Sequence, residues 1–491
     1  MMSTRHSPPV SGLINDEESL MFGAYYGFTS GKTKLDFGKN YKVTQIYFFR
    51  KVPKYLGSYI LSAGLETLMA HIEYCMLYGI NKFQKSWLKE TSGGDMSEEF
   101  LNYLENFNPK FNIWAVPEGT PMFPNEPVLM IEANYIDIQI IEDALLTILN
   151  HQSLIATKAS RMRYACGDRA LADFGARRAH GMGAGLLGAR AGYIGGTDAT
   201  SLVLAGYKFG IPYLGTMPHA FMQTEQRPNA SFRETELEAF RDYTATYPHN
   251  SLLLVDTYNS YYGIKNAITV AKELELKGYG LKGIRLDSGN LGDLAKMARE
   301  MLIDAGLYDV KIYASDNIDE YEIIKLLRDD APIDGFGVGT RLQTGANIKG
   351  ELGGTSTLGG VLKICEVNGQ PSMKFTDAIN KSTNPTKQQV IRVLDSKRQR
   401  YQYDVLNTVG YDEDMGKALL VPIMKEGELV YDFPPLKEVR QYALNELSMF
   451  KKGVRDILSP TNYSVITGIE LGNARRKLKE KYKEEFERKR G

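Results

Sequence analysis

The sequence predicts an α/β protein built on a parallel sheet or barrel, and three observations carry that prediction. Four short apolar runs, SLLLV (251–255), LKGIRL (281–286), VKIYAS (310–315) and DGFGV (334–338), start 30, 29 and 24 residues apart. Helical patterns separate them: Asn266 to Leu276, then Leu291, Leu294, Ala298, Met301, Leu302 and Ala305, then a stretch opened by Asp319-Glu-Tyr-Glu322 that reads as a capping box. Each run ends at a polar residue or a tight turn, namely Asp256, Asp287, Asp316 and Gly339-Thr340. Such alternation forms βα units with a parallel sheet, and in barrels the carboxyl ends of the strands make the active face. One aspartate at a strand end is ordinary turn and cap chemistry. Recurrence at successive ends gathers His219, Asp256, Arg285, Asp287, Asp316 and Gly339-Thr340 at one mouth.

The earlier chain is less regular. Residues 1–14, with Pro8, Pro9, Ser11 and Gly12, read as a loose tail without a signal-like apolar core. TQIYFFRKVP (44–53) is strand-like, Leu61 to Tyr78 is helix-like, and Ser92 to Asp95 is a loop. Prolines 117, 121, 124 and 127 exclude helix and suit short edge strands. A long apolar helix pattern, Ile136 to Leu154, follows. These elements are expected to form an α/β domain over 15–155, ahead of a barrel over 156–365 and a segment, 366–491, that packs back on the first domain. The last stretch, ARRKLKEKYKEEFERKR, is a mixed-charge helix pattern suited to a solvated face.

Composition narrows the partners. Lys plus Arg equals Asp plus Glu at 59 each, so no global field draws the chain to nucleic acid or membrane, and any anion must be held locally. Three cysteines, Cys75, Cys166 and Cys365, are odd in number and lack metal spacing. With no apolar run of membrane-spanning length, the expected compartment is the cytoplasm.

Residues 174–219 are organised around adjacent arginines, Arg177 and Arg178, a glycine-rich passage and the run Ile211 to Leu214, after which His219 follows. Arginine forks match phosphate or carboxylate, and glycines let backbone N–H groups approach anionic oxygens. Gly183-Ala-Gly-Leu-Leu-Gly188 has the letters of a dinucleotide fingerprint, but no apolar strand precedes it and Asp198 lies only ten residues beyond Gly188. Small residues that let a helix pack closely are the better reading. His6, His71, His151, His180 and His249 read as ordinary core or surface histidines.

FGARRAHGMGAGLLGARAGYIGGTDATS, GTMPHAF, LLVDTY, IRLDSGNLGDLA, GVGTRL and LGGVLKICEVNGQPSMKFT occur in that order. Together they resemble the nicotinate phosphoribosyltransferase family, as do AVPEGTPMFPNEPVLMIEA and LLTILNHQSLIATKASRMR upstream. The resemblance implies a type II phosphoribosyltransferase architecture: an irregular α/β barrel with a second α/β domain, assembled as a homodimer. It implies transfer of phosphoribosyl from phosphoribosyl pyrophosphate to nicotinate in NAD biosynthesis, with Mg2+ on the pyrophosphate. ATP is a co-substrate, coupled in ligase fashion through a phosphohistidine at His219.

By motif position, Arg177 and Arg285 meet anionic substrates, Arg285 the nicotinate carboxylate. Asp287 faces the ribose or its metal, Thr216 matches a base-site threonine, and Gly339 and Thr340 cradle the 5′-phosphate. Phe174, heading the FGARR motif, and Asp198 complete the substrate-binding set. Asp256 is the expected carboxylate that orients the His219 imidazole. Glu18 stands where the family carries a tyrosine that stacks on the pyridine, with Phe22, Tyr25 and Tyr26 nearby as other aromatics. Two other readings stay open: a nicotinamide phosphoribosyltransferase, and a catalytically silent relative that binds nucleotides.

Overall fold

The computed structural model describes residues 16–226, 228–346, 356–375, 383–395, 397 and 399–486. The tail expected over 1–14 lies outside them, as do the last residues of the charged carboxyl-terminal stretch, whose described part is helix Ile469–Phe486.

Six parallel strands carry the predicted mouth, in the order Ala199–Thr200, Ala170–Asp173, Gly335–Val338, Lys311–Ser315, Gly283–Leu286 and Leu252–Leu254. All four apolar runs of the sequence are among them. Their side chains are mostly buried, as expected of a parallel sheet packed by helices such as Ser260–Leu276 and Leu291–Asp304. Asp319 caps helix Glu320–Arg328 by accepting the N–H groups of Tyr321 and Glu322, both at 3.0 Å. Glu322 pairs with Lys325 at 3.0 Å.

The run Ile211 to Leu214 is not a strand. It makes a single bridge, Tyr213 opposite Thr200, because Pro212 has no N–H to extend the ladder. Leu214 donates to Thr200 O at 2.9 Å, and the Thr200 N–H reaches Pro212 O at 3.0 Å. On the far side the Thr216 hydroxyl donates to the Leu252 carbonyl, and Arg285 donates to Met217 O at 3.3 Å. Residues 212–217 therefore tie one edge strand to the other and close the sheet into an irregular barrel.

A second, seven-stranded antiparallel sheet runs Gln370–Pro371, Gly360–Val367, Lys42–Phe49, Pro127–Asn134, Asn112–Ala115, Val421–Lys425 and Glu428–Leu429. Pro127 opens a strand inside this sheet, a correction to the edge-strand expectation. It is tolerated at the register shift opposite Phe48. Pro121 fits the expectation better, in the small ribbon that Pro121–Met122 makes with Ile60–Leu61. Helix Tyr135–Cys166 runs unbroken across residue 155, and strand Gly360–Val367 across residue 365. That helix joins the two halves: its Lys158 and Arg161, both buried, pair with buried Glu320 at 2.7 and 3.1 Å.

The third sheet, Lys417–Ala418, Gln388–Asp395, Arg400–Thr408 and Val465–Thr467, is fastened by Arg392. This buried guanidinium forks onto Asp404 at 2.7 and 3.0 Å and donates to Pro121 O at 2.8 Å. The rings of Phe450, Tyr401 and Phe123 surround it with centroids at 5.0, 5.3 and 5.7 Å.

Candidate active site

The carboxyl ends of the strands hold one connected polar group. His219 begins the short helix His219–Thr224, directly after the segment that closes the barrel. Its Nδ1 lies 3.1 Å from Thr257 Oγ1, and its Nε2 3.6 Å from Asp287 Oδ2. The other oxygen of Asp287 accepts from Arg285 at 3.1 Å and from the Ser315 hydroxyl. Arg285 also donates to Ser315 Oγ at 3.1 Å, while its buried Nε has no partner among the described residues. Burial pulls the Arg285 pKa below its ordinary value, and the Arg177 charge pushes the same way against Asp287 and Asp256.

Asp256 is at the mouth, but the role expected for it is corrected by its contacts. Its Oδ2 accepts the Asp287 N–H at 2.8 Å and the Ser288 hydroxyl at 2.6 Å. Asp256 thus holds the turn that presents Asp287, while Thr257 and Asp287 flank the imidazole.

Phe174 and the arginine turn stand over strand Ala170–Asp173. The Phe174 N–H bonds to Val338 O at 2.7 Å, and its ring lies against Gly337, where any Cβ would collide with it. Beneath, buried Asp173 accepts from Gly175 N at 2.9 Å, Gln343 Nε2 at 2.8 Å and Thr200 Oγ1 at 3.3 Å. Burial pushes its pKa up to about 6 in spite of these bonds. Gly175 in turn packs on Gly339 O, which brings the arginine turn and the Gly339-Thr340 turn together at the head of helix Thr340–Gln343. Asp316, next along the rim, has φ of 124°, a conformation rare for a non-glycine residue and characteristic of functional sites.

Two residues of the expected substrate-binding set have polar atoms engaged by other residues. Asp198 sits on the amino side of strand Ala199–Thr200, level with Leu171, and pairs with Arg163 at 2.5 Å and Arg440 at 2.6 Å. Through these pairs Asp198 ties helix Tyr135–Cys166 to helix Leu436–Ser448. The Thr216 hydroxyl is spent on Leu252 in closing the barrel. Glu18 lies in the turn Asp16–Met21, which packs on helix Leu65–Tyr78 of the antiparallel half. Sequence reasoning missed Thr257, Ser288, Ser315, Asp173 and Gln343. Only the first three left a signal, as hydroxyls adjoining the aspartates that end the runs.

A buried arginine with an unsatisfied Nε, a part-buried imidazole flanked by a hydroxyl and a carboxylate, and tight glycine turns at the open end of a parallel barrel define an enzyme site for phosphorylated, anionic substrates. Comparison with known proteins narrows the class. Residues 23–150 match the nicotinate phosphoribosyltransferase N-terminal domain, 169–405 the nicotinate phosphoribosyltransferase family, and 372–471 the nicotinate phosphoribosyltransferase C-terminal domain. A nicotinate phosphoribosyltransferase of Mycobacterium tuberculosis is 36% identical over 419 residues, spanning 85% of this chain and 84% of its own. The enzyme of that name in Bacillus subtilis is 35% identical over 449 residues, spanning 85% and 86%. The crystal structure of human nicotinic acid phosphoribosyltransferase superposes with a TM-score of 0.79 at 25% identity, covering 93% of this chain and 99% of that one. The chain belongs to the nicotinate phosphoribosyltransferase family.

Proposed function

We propose that the chain transfers phosphoribosyl from phosphoribosyl pyrophosphate to the ring nitrogen of nicotinate, giving nicotinate mononucleotide and pyrophosphate for NAD biosynthesis, with ATP hydrolysis coupled through His219. Family membership supports the transfer. The observation that carries the chemistry is the chain Thr257–His219–Asp287–Arg285. Breaking the anomeric bond to pyrophosphate leaves positive charge on the ribose and negative charge on the leaving group. Asp287 suits the first, and Arg177 and Arg285 the second and the nicotinate carboxylate. The unpartnered Arg285 Nε is a donor still to be satisfied.

In the tautomer that donates Nδ1–H to Thr257 Oγ1, Nε2 carries the lone pair, and a turn of the ring away from Asp287 would aim it at the γ-phosphorus of ATP. The N–P bond forms as the bond to the β-phosphate oxygen breaks, and ADP leaves. Among the described residues no three His, Cys, Asp or Glu side chains form a metal cage. A Mg2+ arriving with pyrophosphate would be held by single carboxylates, Asp287 first, and would supply charge stabilisation to the leaving group. The free cysteines are all buried, in keeping with a reducing cytoplasm, and among the described residues no helix is long and apolar enough to cross a membrane. A homodimer is part of the same reading.

Purified protein given phosphoribosyl pyrophosphate with nicotinate or nicotinamide, with and without ATP, tests acceptor and coupling together. Nicotinate should be turned over faster, and ATP should stimulate it. His219→Ala should lose ATP hydrolysis and keep slow, uncoupled transfer, because the anion contacts of Arg177 and Arg285 survive. Faster use of nicotinamide would overturn the acceptor, and an unchanged ATPase rate in His219→Ala the phosphohistidine.

A further inference from the structure

Beneath the mouth, one buried carboxylate joins pieces of it that the chemistry above uses separately. Asp173 ends strand Ala170–Asp173, and it is buried together with Thr200 and Gln343. Its Oδ1 accepts the Gly175 N–H at 2.9 Å, at the start of the turn that carries Arg177. Its Oδ2 accepts Gln343 Nε2 at 2.8 Å and the Thr200 hydroxyl at 3.3 Å. All three partners are donors, so both oxygens must accept, which is what a carboxylate supplies. Gln343 closes the helical turn that opens at Gly339 and Thr340, with its own N–H on Gly339 O at 3.1 Å. The arginine turn and this second turn also touch: Gly339 O and Gln343 Cγ each lie 2.5 Å from where a Cβ on Gly175 would stand.

We propose that Asp173 and Gln343 are positioning residues: their bond sets the spacing between the arginine turn and the Gly339-Thr340 turn, so that the two anionic ends of one phosphoribosyl pyrophosphate are met together. The inference rests on the function proposed above, in which Arg177 meets the pyrophosphate and Gly339 and Thr340 the 5′-phosphate. The strands under the two turns are neighbours, Asp173 opposite Val338, and the Phe174 N–H makes the last backbone bond between them, to Val338 O at 2.7 Å. Beyond it no backbone bond joins the two turns among the described residues, and the carboxylate–amide bond crosses between them instead. A buried bond to a charged acceptor is short and directional, which suits it to fixing a distance. Ribose 5-phosphate needs only one turn and pyrophosphate only the other. The joined molecule needs both at a fixed separation, so an error of spacing is felt by it alone.

Calorimetric titration of the full chain with phosphoribosyl pyrophosphate, ribose 5-phosphate and inorganic pyrophosphate, each with Mg2+, tests this. Gln343→Glu sets two carboxylates against each other and breaks the bond. It should weaken binding of phosphoribosyl pyrophosphate about tenfold or more, and of each fragment by less than about threefold. Adding Asp173→Asn rebuilds the pair in the reverse sense, the new amide donating to the new carboxylate at unchanged net charge. The double variant should bind phosphoribosyl pyrophosphate within about threefold of native. In turnover the loss in Gln343→Glu should fall on KM for phosphoribosyl pyrophosphate, with KM for nicotinate within about twofold of native. Should Gln343→Glu not fold, Gln343→Met removes the same bond and carries the same expectation for the three probes. A merely structural role would weaken all three alike and would not be repaired by a second substitution. Native affinity in the single variant, equal losses for the fragments, or a double variant no better than the single overturns the proposal. A chain whose urea midpoint falls in Gln343→Glu and recovers in the double variant, yet which binds no phosphoribosyl pyrophosphate, overturns the assigned reaction and keeps the Asp173–Gln343 tie.

Discussion

At the scale of single residues the site depends on which atoms of neighbouring side chains face each other. Thr257 and Asp256 are adjacent, yet one touches the imidazole and the other holds a turn. Thr257→Val keeps the shape and removes the partner of Nδ1. Phosphorylation of His219 by ATP should slow about ten- to a hundredfold, the usual cost of losing a partner that orients an imidazole. Affinity for phosphoribosyl pyrophosphate should stay within about twofold of native, because no anion contact is lost. Labelling from γ-phosphate together with calorimetric titration would separate the two, and a native labelling rate in the variant would rule out the orienting role. His219, Arg285 and Asp287 were legible in the sequence because each follows or ends an apolar run. The Thr257 contact was not, since a strand end fixes which residue is near the mouth but not how far the chain has turned. The partners of Asp198 and Thr216, namely Arg163, Arg440 and Leu252, are distant in sequence, and motif spacing does not reveal them.

At the scale of elements, helix Met182–Gly195 shows what the glycine-rich passage is for. Gly195 abuts Ala156 and Ala159 of helix Tyr135–Cys166, and Gly188 abuts the buried Gln343 side chain. Gly183, in the same run of letters, has open space around its Cα. Gly188→Ala and Gly195→Ala should each destabilise the protein by about 1–3 kcal/mol through overpacking. Gly183→Ala should be neutral or add up to about 1 kcal/mol by restricting the unfolded chain. Urea midpoints of the three variants would check this, and equal shifts would mean that close packing is not the reason for the glycines. The helix itself could be read from the sequence, and so could its preference for small residues. Which glycine carries the contact could not, because that depends on the crossing point of two helices. Pro127 is a similar case: its missing N–H argues for an edge, and only the register shift opposite Phe48 lets it open an interior strand.

At the scale of the whole molecule, the alternation after residue 250 was enough to give the barrel, while the antiparallel sheet was not predictable strand by strand. It draws neighbours from residues 42–49, 112–134, 360–371 and 421–429, and long-range pairing of this kind leaves no local pattern. Arg392 holds the third sheet to that assembly. Arg392→Met should cost about 3–5 kcal/mol, since Asp404 would be left buried without its partner. Replacing both, as Arg392→Met with Asp404→Leu, should recover much of the loss in a thermal melt, and a double variant no better than the single would assign the effect to the surrounding aromatic cage. The closing segment 212–217 has a different mechanical character from the sheet it completes. Six strands share continuous ladders, whereas this segment is held by a bridge at Tyr213, a hydroxyl and an arginine contact, and the imidazole is mounted two residues past its end. The imidazole thus rides on the latch of the cylinder, not on its wall. On the proposed phosphohistidine chemistry, the charge gained or lost at His219 would fall on the part of the cylinder with the fewest backbone bonds, and not on the laddered wall.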